Sequence, residues 1–481
     1  MAQFDLAIRG GTIATASDEF RADIGIREGR IVSIADRIEG AVQEIDATGL
    51  LALPGGIDSH VHISQPAGPD VVMADDFASA TRAAAAGGNT TILPFALQIK
   101  GSSLRACVQE YRKLADGECY IDTAFHLIIS DPTAVVLGQE LPALVKDGYT
   151  SFKVFMTYDD LVLSDKQLLE VFEVARREQA LVMVHCEGYD AIRHLTERLE
   201  REGHIAPYFH GTSRPQVVER EATHRAISHA EIVGVPIMIV HVSGREAMEQ
   251  VRWAQQRGLP VHAETCPQYI TLTADDLKGL NMDMSGAKYV CSPPPRDRES
   301  QQAIWEGIAG GVFQTFSSDH CPFRYDDPMG KLTPNSRTSF RWVPNGIPGV
   351  ETRLPIFFSE GVSKGRISLQ KFVELTSTNH ARIYGLYPRK GSIGVGFDAD
   401  IALWDPKLKK KIRQCDLHHG SDYTPWEGFE VTGWPIMTIA RGQVVADNGK
   451  IVGTKGAGEV LSRGKSSLVR TAAPSVRSGP E

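Results

Sequence analysis

Residues 54–62 of the chain read PGGIDSHVH, and the pattern of the sequence changes at this stretch. Before it, residues 1–55 consist of short segments in which apolar and polar side chains alternate, as is typical of β-strands. After it, apolar runs alternate with amphipathic segments of helical period, which indicates a parallel sheet with crossover helices. The stretch therefore predicts the transition from a small β domain to an α/β domain.

Eight apolar runs follow this transition, and helix-like segments separate them. Eight β-α units over about 330 residues are the size of a (β/α)8 barrel with insertions. We therefore predict the α/β fold class, with a (β/α)8 TIM barrel formed by residues 56–386. The runs predicted as barrel strands are 56–62, 89–95, 121–129, 150–156, 181–187, 235–243, 259–265 and 313–320.

Strand-like alternation returns after a final predicted helix over residues 368–386. The segments that follow resemble the N-terminal strands in period and in turn residues. We therefore predict one smaller, discontinuous β-sandwich domain, formed by both termini from residues 1–55 and 387–456. The polar segment 457–481 is rich in Pro and Ser, and we predict that it is a flexible or intersubunit tail.

Composition and charge restrict the class of protein. The net charge of the 481 residues is −8 at pH 7, which argues against nucleic acid or an anionic membrane surface as a partner. The seven cysteines are scattered without Cys-x-x-Cys spacing, and the N-terminus lacks the pattern of a secretory signal. No apolar run is long enough to cross a membrane. These features predict a cytoplasmic protein.

The first barrel strand carries two histidines at its C-terminal end. Side chains two residues apart in a strand point to the same face, so His60 and His62 can contact one metal ion. Active sites of barrels lie at the C-terminal ends of the strands. Five predicted strand ends therefore bring metal-compatible side chains to one rim, and the set consists of His60, His62, Lys153, His185, His241 and Asp319.

Lys153 differs from the other members of this set. It lies within an apolar run, where burial of an ammonium is costly. The lysine is either an ammonium paired with a carboxylate or a neutral amine, because burial readily lowers the pKa of lysine. A neutral amine can add carbon dioxide, and the resulting carbamate has two oxygens that can bridge two metal ions.

Several motifs resemble the cyclic amidohydrolases of the amidohydrolase superfamily, most closely the hydantoinase and dihydropyrimidinase group. They are PGGIDSHVH, TSFKVFMTY, LVMVHCE, PIMIVHVS and SSDHCPF, and the resemblance extends to KYVCSPPPR, WVPNGIPGVETR and GFDADIALWDP. It implies two divalent metal ions in each subunit, expected to be Zn²⁺, with a carbamylated Lys153 as the bridging ligand. His60, His62 and Asp319 would hold one ion. His185 and His241 would hold the other.

The resemblance also suggests a mechanism. Two adjacent ions lower the pKa of a bridging water and generate a hydroxide. Asp319 would take the proton from this water and pass it to the departing ring nitrogen. Tyr158 follows the fourth strand closely and would donate to the developing oxyanion. Ser292 and Asn345 match family positions whose main chain binds the cyclic ureide or imide.

We therefore predict hydrolysis of dihydropyrimidines or 5-monosubstituted hydantoins to N-carbamoyl amino acids, with a cyclic amide as the small-molecule partner. Residues 63–74 lack a Met-Pro-Phe-Gly-Gly segment common in the group, so allantoin and phthalimide-type imides stay open as alternative substrates. Dihydroorotases have an arginine shortly after the two histidines of the first strand, where it binds a substrate carboxylate. Ser64 and Gln65 stand at this position here, which disfavours dihydroorotase activity. A catalytically inactive scaffold is disfavoured, because all six ligand positions are intact. The resemblance further implies a homo-oligomer, a tetramer or a dimer.

Overall fold

A parallel β-barrel forms the centre of the protein. The structure is a computed structural model, and it describes residues 3–68 and 70–467. All six residues of the first barrel strand are buried, as expected for a parallel strand covered on both faces. Barrel strands 1 to 8 are Gly56–Val61, Asn89–Leu97, Asp122–Thr123 continued by His126–Ile128, Ser151–Phe155, Leu181–His185, Ile237–Ile239, Val261–Thr265 and Thr315–Phe316.

Contacts between the first strand and the segment after the eighth strand close the barrel. Val61 forms a parallel bridge with His320, and the main-chain N–H of His62 donates to the carbonyl of His320 over 2.6 Å. The main-chain N–H of Ser318 donates to the carboxylate of Asp58 over 3.1 Å. With the parallel pairing of the intervening strands, these bonds confirm the predicted (β/α)8 fold.

Helices cover the outside of the barrel, and several begin at side chains that cap their free N–H groups. Ser164 accepts from the N–H of Gln167 in a capping box. The α-helices are Phe77–Ala86, Leu104–Ala115, Leu141–Lys146, Asp165–Glu178, Tyr189–Arg201, Tyr208–Thr212, Gln216–Val233, Arg245–Gln256, Gln268–Thr271, Arg298–Ala309, Arg353–Phe357, Leu369–Val373 and Asn379–Ile383. Among the described residues, no helix is both long enough and apolar enough to span a bilayer.

Shorter helical turns complete the connections between these elements. The predicted helix over residues 368–386 is not one continuous α-helix. It consists of two short α-helices with a π-helical turn between them. The π-helical turns are Val136–Glu140, Phe358–Ser363 and Glu374–Thr378, and the 3₁₀ turns are Ala274–Lys278, Met284–Tyr289, Phe340–Trp342 and Gln414–Asp416.

The remaining strands form two sheets beside the barrel. Both ends of the chain contribute to the larger sheet, because strand Ile401–Lys411 pairs antiparallel with strand Leu51–Pro54. In spatial order, this sheet contains Lys450–Ile451, Gln443–Asp447, Glu430–Ala440, Ile401–Lys411, Leu51–Pro54, Thr12–Ala14 and Glu19–Arg21. The smaller sheet contains Arg30–Ala35, Asp23–Arg27, Phe4–Arg9 and Ala41–Asp46. The predicted domain boundaries at residues 55, 386 and 456 stay predictions.

Part of the predicted tail lies against the barrel of its own chain. The N–H of Thr123 donates to the carbonyl of Glu459 over 2.8 Å, and the N–H of Leu461 donates to the carbonyl of Thr123 over 2.7 Å. The buried guanidinium of Arg463 donates to the carbonyl of Phe125 over 2.6 Å. The barrel therefore provides acceptors and donors for the main chain of residues 457–467, and the predicted flexible or intersubunit tail stays a prediction. Residues 468–481 lie outside the described residues.

Candidate metal centre and active site

Three of the predicted ligands meet where the first and eighth barrel strands end. The candidate ligand atoms of His60, His62 and Asp319 all lie within 4.8 Å of one another. The Asp319 Oδ1 atom is 3.3 Å from Nε2 of His60 and 3.7 Å from Nε2 of His62. Two imidazole nitrogens and a carboxylate oxygen at this spacing are suitable ligands for a zinc-like ion.

Lys153 lies at the centre of the predicted site and is fully buried. Its Nζ atom is 3.3 Å from Nε2 of His60 and 5.2 Å from the ring centroids of both Phe95 and Phe155. Within residues 3–68 and 70–467, no carboxylate forms an ion pair with Lys153 at 4.0 Å or less. Burial lowers the pKa of Lys153 to about 8. At neutral pH the neutral amine is therefore more populated than in an exposed lysine, although the ammonium remains the major form.

His185 and His241 lie together beside the first group. Their ring centroids are 4.4 Å apart, and the ring centroid of His241 is 5.3 Å from that of His60. The Nδ1 atom of His241 is buried and has no hydrogen-bond partner in the described part of the chain. An unpaired buried nitrogen is unusual, and an ion that the structure does not contain is one of its ordinary causes.

The protonation of the histidines suits metal binding. Burial lowers the pKa of His60 and of His241 well below the ordinary imidazole value, so both rings are neutral and keep a free electron pair. Together with the Asp319 side chain, the four imidazoles form a donor set that fits divalent ions such as zinc. The residues present therefore fit the metal pair that the resemblance implies.

The backbone has an unusual conformation at three residues of this site. Asp319, His241 and Tyr158 have φ angles of 51°, 40° and 72°, in the left-handed region that favours glycine. Non-glycine residues persist in this region only where their surroundings hold them, and such residues cluster at functional sites. The three side chains therefore point in directions that an extended strand would not give them.

Carboxylates that the sequence did not reveal orient two of the histidines. The Nδ1 atom of His60 lies 2.6 Å from Oε1 of the fully buried Glu264, so this ring donates from Nδ1 and directs Nε2 towards Lys153. The Nε2 atom of His185 lies 2.9 Å from Oε2 of Glu187. Such partners fix the tautomer and the orientation of metal-binding histidines. A carboxylate within the apolar run 259–265 was the signal that could have identified Glu264.

The predicted substrate residues lie at the same end of the barrel. The ring centroid of Tyr158 is 5.4 Å from that of His185. The Ser292 side chain is close enough to hydrogen-bond the Tyr158 phenol and so to lower its pKa, against the larger effect of burial. The main-chain carbonyl of Asn345 accepts from Sγ of Cys321, two residues after Asp319, over 3.5 Å. The structure thus brings the predicted substrate residues close to the predicted ligands, and their roles stay predictions.

Comparison with known proteins identifies the family. The sequence profile of the amidohydrolase family matches residues 51–445. The chain belongs to this family. It is 44% identical over 462 residues to a D-hydantoinase of Ralstonia pickettii, with 96% of this chain and 99% of that protein covered.

Solved structures show which group of the family this amidohydrolase resembles. A dihydropyrimidinase from Brevibacillus agri superposes with a TM-score of 0.92 at 41% identity, with 96% of this chain and 99% of that chain covered. A D-hydantoinase structure gives the same TM-score and coverage at 43% identity. These similarities confirm the predicted resemblance to the hydantoinase and dihydropyrimidinase group.

The role of Glu264 can be tested without substrate. In Glu264→Gln, we expect zinc affinity to fall about 10- to 100-fold, because the neutral amide accepts the Nδ1–H of His60 more weakly than a carboxylate does and makes the imidazole a poorer ligand. The measurement is zinc occupancy in buffers of defined free zinc concentration. Glu351→Gln is the matched control, since Glu351 is a buried glutamate that bonds His418 rather than a predicted ligand. Equal zinc affinity in Glu264→Gln and wild type would contradict the role.

Proposed function

We propose that this amidohydrolase opens the ring of dihydropyrimidines or 5-monosubstituted hydantoins and releases N-carbamoyl amino acids. The observation that carries the proposal is the buried Lys153 side chain, which forms no ion pair with a carboxylate at 4.0 Å or less among the described residues and lies 3.3 Å from Nε2 of His60. The names of the relatives, D-hydantoinase and dihydropyrimidinase, supply the class of ring.

The chain offers a place for each ion. His60, His62 and Asp319 would hold one, His185 and His241 would hold the other, and Lys153 would bind both as its carbamate. To form the carbamate, the neutral amine adds to the carbon of CO₂, a new N–C bond forms, and the nitrogen loses a proton. When bound, the ions, which we propose are zinc, would lower the pKa of a water molecule and polarise the substrate carbonyl.

Asp319 would transfer the proton during the reaction. Its Oδ1 atom lies 3.3 Å from Nε2 of His60 and 3.7 Å from Nε2 of His62, so this carboxyl group adjoins the place where the ions would be held. Asp319 would accept a proton from the attacking water and deliver it to the ring nitrogen as the C–N bond breaks. One residue would thereby act first as general base and then as general acid.

The remaining predicted residues would bind the ring. Burial raises the pKa of the Tyr158 phenol, so the phenol stays protonated at neutral pH and can donate to the developing oxyanion. The main chain at Ser292 and Asn345 would bind the ureide or imide group. Phe95 and Leu163 are buried and Leu161 is half-buried, and we propose that they form an apolar wall for the exocyclic group.

The experiment that tests the function is a substrate panel with zinc-loaded protein. We expect turnover of dihydrouracil and 5-phenylhydantoin, with the D-enantiomer of the N-carbamoyl product in excess, and loss of turnover when a chelator removes the metal. Preference for allantoin or phthalimide would favour those alternative substrates. Metal-loaded protein that opens none of the rings would favour the inactive scaffold.

We further propose that the enzyme is a cytoplasmic homo-oligomer, a tetramer or a dimer. The resemblance to the hydantoinase group is the support for this proposal. Light scattering of the purified protein measures the mass of the assembly, and a monomer at the concentration of the activity assay would contradict it.

A further inference from the structure

We propose that Lys331 is a positioning residue for substrate binding, and that its buried amino group fixes the distance between the two loops that carry Ser292 and Asn345. This inference rests on the proposed function, because it concerns how the same site holds its cyclic substrate. Lys331 belongs neither to the predicted ligands nor to the predicted substrate residues.

The surroundings of Lys331 are unusual for a lysine. The side chain is fully buried, and its Nζ atom is 5.7 Å from the ring centroid of Phe323. In the part of the chain that the structure describes, no carboxylate forms an ion pair with it. Burial lowers the pKa of Lys331 to about 7. An amine kept in such a place needs polar contacts that compensate for lost hydration.

Two main-chain carbonyls supply these contacts, and they belong to different loops. The Nζ atom donates to the carbonyl of Val290 over 2.8 Å and to the carbonyl of Pro344 over 2.6 Å. Val290 precedes Ser292 by two residues, and Pro344 directly precedes Asn345. The amino group has enough N–H donors for both bonds whether it is protonated or neutral. One side chain therefore joins the two segments at the point where each approaches the predicted substrate site.

Other contacts of these loops do not replace the bond to Pro344. The Nε2 atom of His210 lies 2.9 Å from the carbonyl of Cys291 and holds the first loop. Between the loops, the N–H of Gly346 donates to the carbonyl of Val290 over 3.0 Å, and Val290 shares an apolar cluster with Val343. Removal of the Lys331 amino group would leave the carbonyl of Pro344 without this donor and the loops less firmly joined.

The consequence is specific to substrate binding. Binding groups must be held within about 0.5 Å of their working positions, and a displacement of about 1 Å can cost a hundredfold in rate. Neither bonded carbonyl nor the Phe323 ring belongs to a predicted metal ligand. Loss of Lys331 should therefore weaken substrate binding while metal content stays unchanged.

The experiment compares Lys331→Met and Lys331→Gln with wild type in the zinc-loaded full chain, with 5-phenylhydantoin as substrate. Methionine has a similar length but no donor, so we expect KM to rise about 10- to 100-fold, kcat to change less than about threefold, and zinc content to stay the same. Glutamine keeps an N–H₂ group, and we expect a smaller rise in KM.

Lys390→Met is the matched control. Lys390 is also a buried lysine, but its ammonium contacts the carboxylates of Asp122, Asp398 and Asp400 rather than the substrate loops. Its replacement should lower the melting temperature, and the protein that remains folded should keep the KM of wild type. This variant separates general loss of stability from loss of loop positioning.

Each other outcome counts against the proposal. An unchanged KM in folded Lys331→Met, or a fall in kcat at constant KM, would overturn it. Failure of both Lys331 variants to fold would overturn it too, because the lysine would then be a requirement of the fold. If wild type opened no cyclic amide, the proposed function would fail and this inference with it, whereas active wild type with an unaffected variant refutes the inference alone.

Discussion

Replacement of Lys153 by alanine is expected to remove most of the bound zinc and to reduce turnover by on the order of 10⁴-fold. In the proposed centre, the carbamate of Lys153 would be a ligand of both ions, and the methyl group of alanine would not bind either of them. The amine lies 3.3 Å from a nitrogen of His60, so its loss affects the position where the two groups of ligands meet. Elemental analysis and kcat for 5-phenylhydantoin measure the two effects.

Added carboxylates distinguish a lost ligand from a damaged fold. Acetate or propionate carries the two oxygens of the missing carbamate, and the truncated side chain leaves space for it. Either acid should therefore restore part of the zinc content and of the activity of Lys153→Ala. Lys153→Arg is the matched control, because its guanidinium fills the space and stays charged. Full zinc content with normal turnover in Lys153→Ala would refute the bridging role.

The barrel could be predicted because apolar runs mark strands buried on both faces, but the ends of the strands could not. The predicted run 313–320 contains a strand only at Thr315–Phe316. Beyond it, Ser318 bonds the side chain of Asp58, and the left-handed φ of Asp319 ends the extended conformation. Such an end depends on partners elsewhere in the chain, and a single sequence does not show them.

The residues of the functional site could also be predicted only in part from a single sequence. The candidate ligands could be predicted, since His, Lys and Asp at the C-terminal ends of strands are exceptions to an apolar pattern. Glu264 and Lys331 were missed because their importance comes from contacts over long separations in sequence. Glu264 is 204 residues from His60, and Lys331 bonds the carbonyl of Val290, 41 residues away. Their residue types alone also fit ordinary buried ion pairs.

In the C-terminal segment, composition did not indicate the contacts with the barrel. The Pro- and Ser-rich composition of residues 457–481 predicted a flexible or intersubunit tail. Within it, residues 457–467 bond the main chain of barrel strand 3 and bury the side chains of Leu461 and Arg463. The guanidinium of Arg463 donates to main-chain carbonyls, which a count of polar residues does not predict.

Asp319→Asn is expected to retain most of its zinc and to lose activity on the order of 10³- to 10⁴-fold in kcat. The amide oxygen still lies close to the nitrogens of His60 and His62, but the amide cannot accept the proton of the attacking water. Because this proton also has to reach the departing ring nitrogen, one substitution removes both the base and the acid. The measurements are zinc content and the pH dependence of kcat.

A neighbouring carboxylate provides the control for this result. Asp75 is buried and bonds the ring of His320, the residue after Asp319, at 3.1 Å, but it contacts no predicted ligand. In Asp75→Asn, we expect kcat to stay within about tenfold of wild type, since only the support of His320 is weakened. Comparable kcat values for zinc-loaded Asp319→Asn and wild type would show that another group moves the proton. Asp319 would then act only as a ligand.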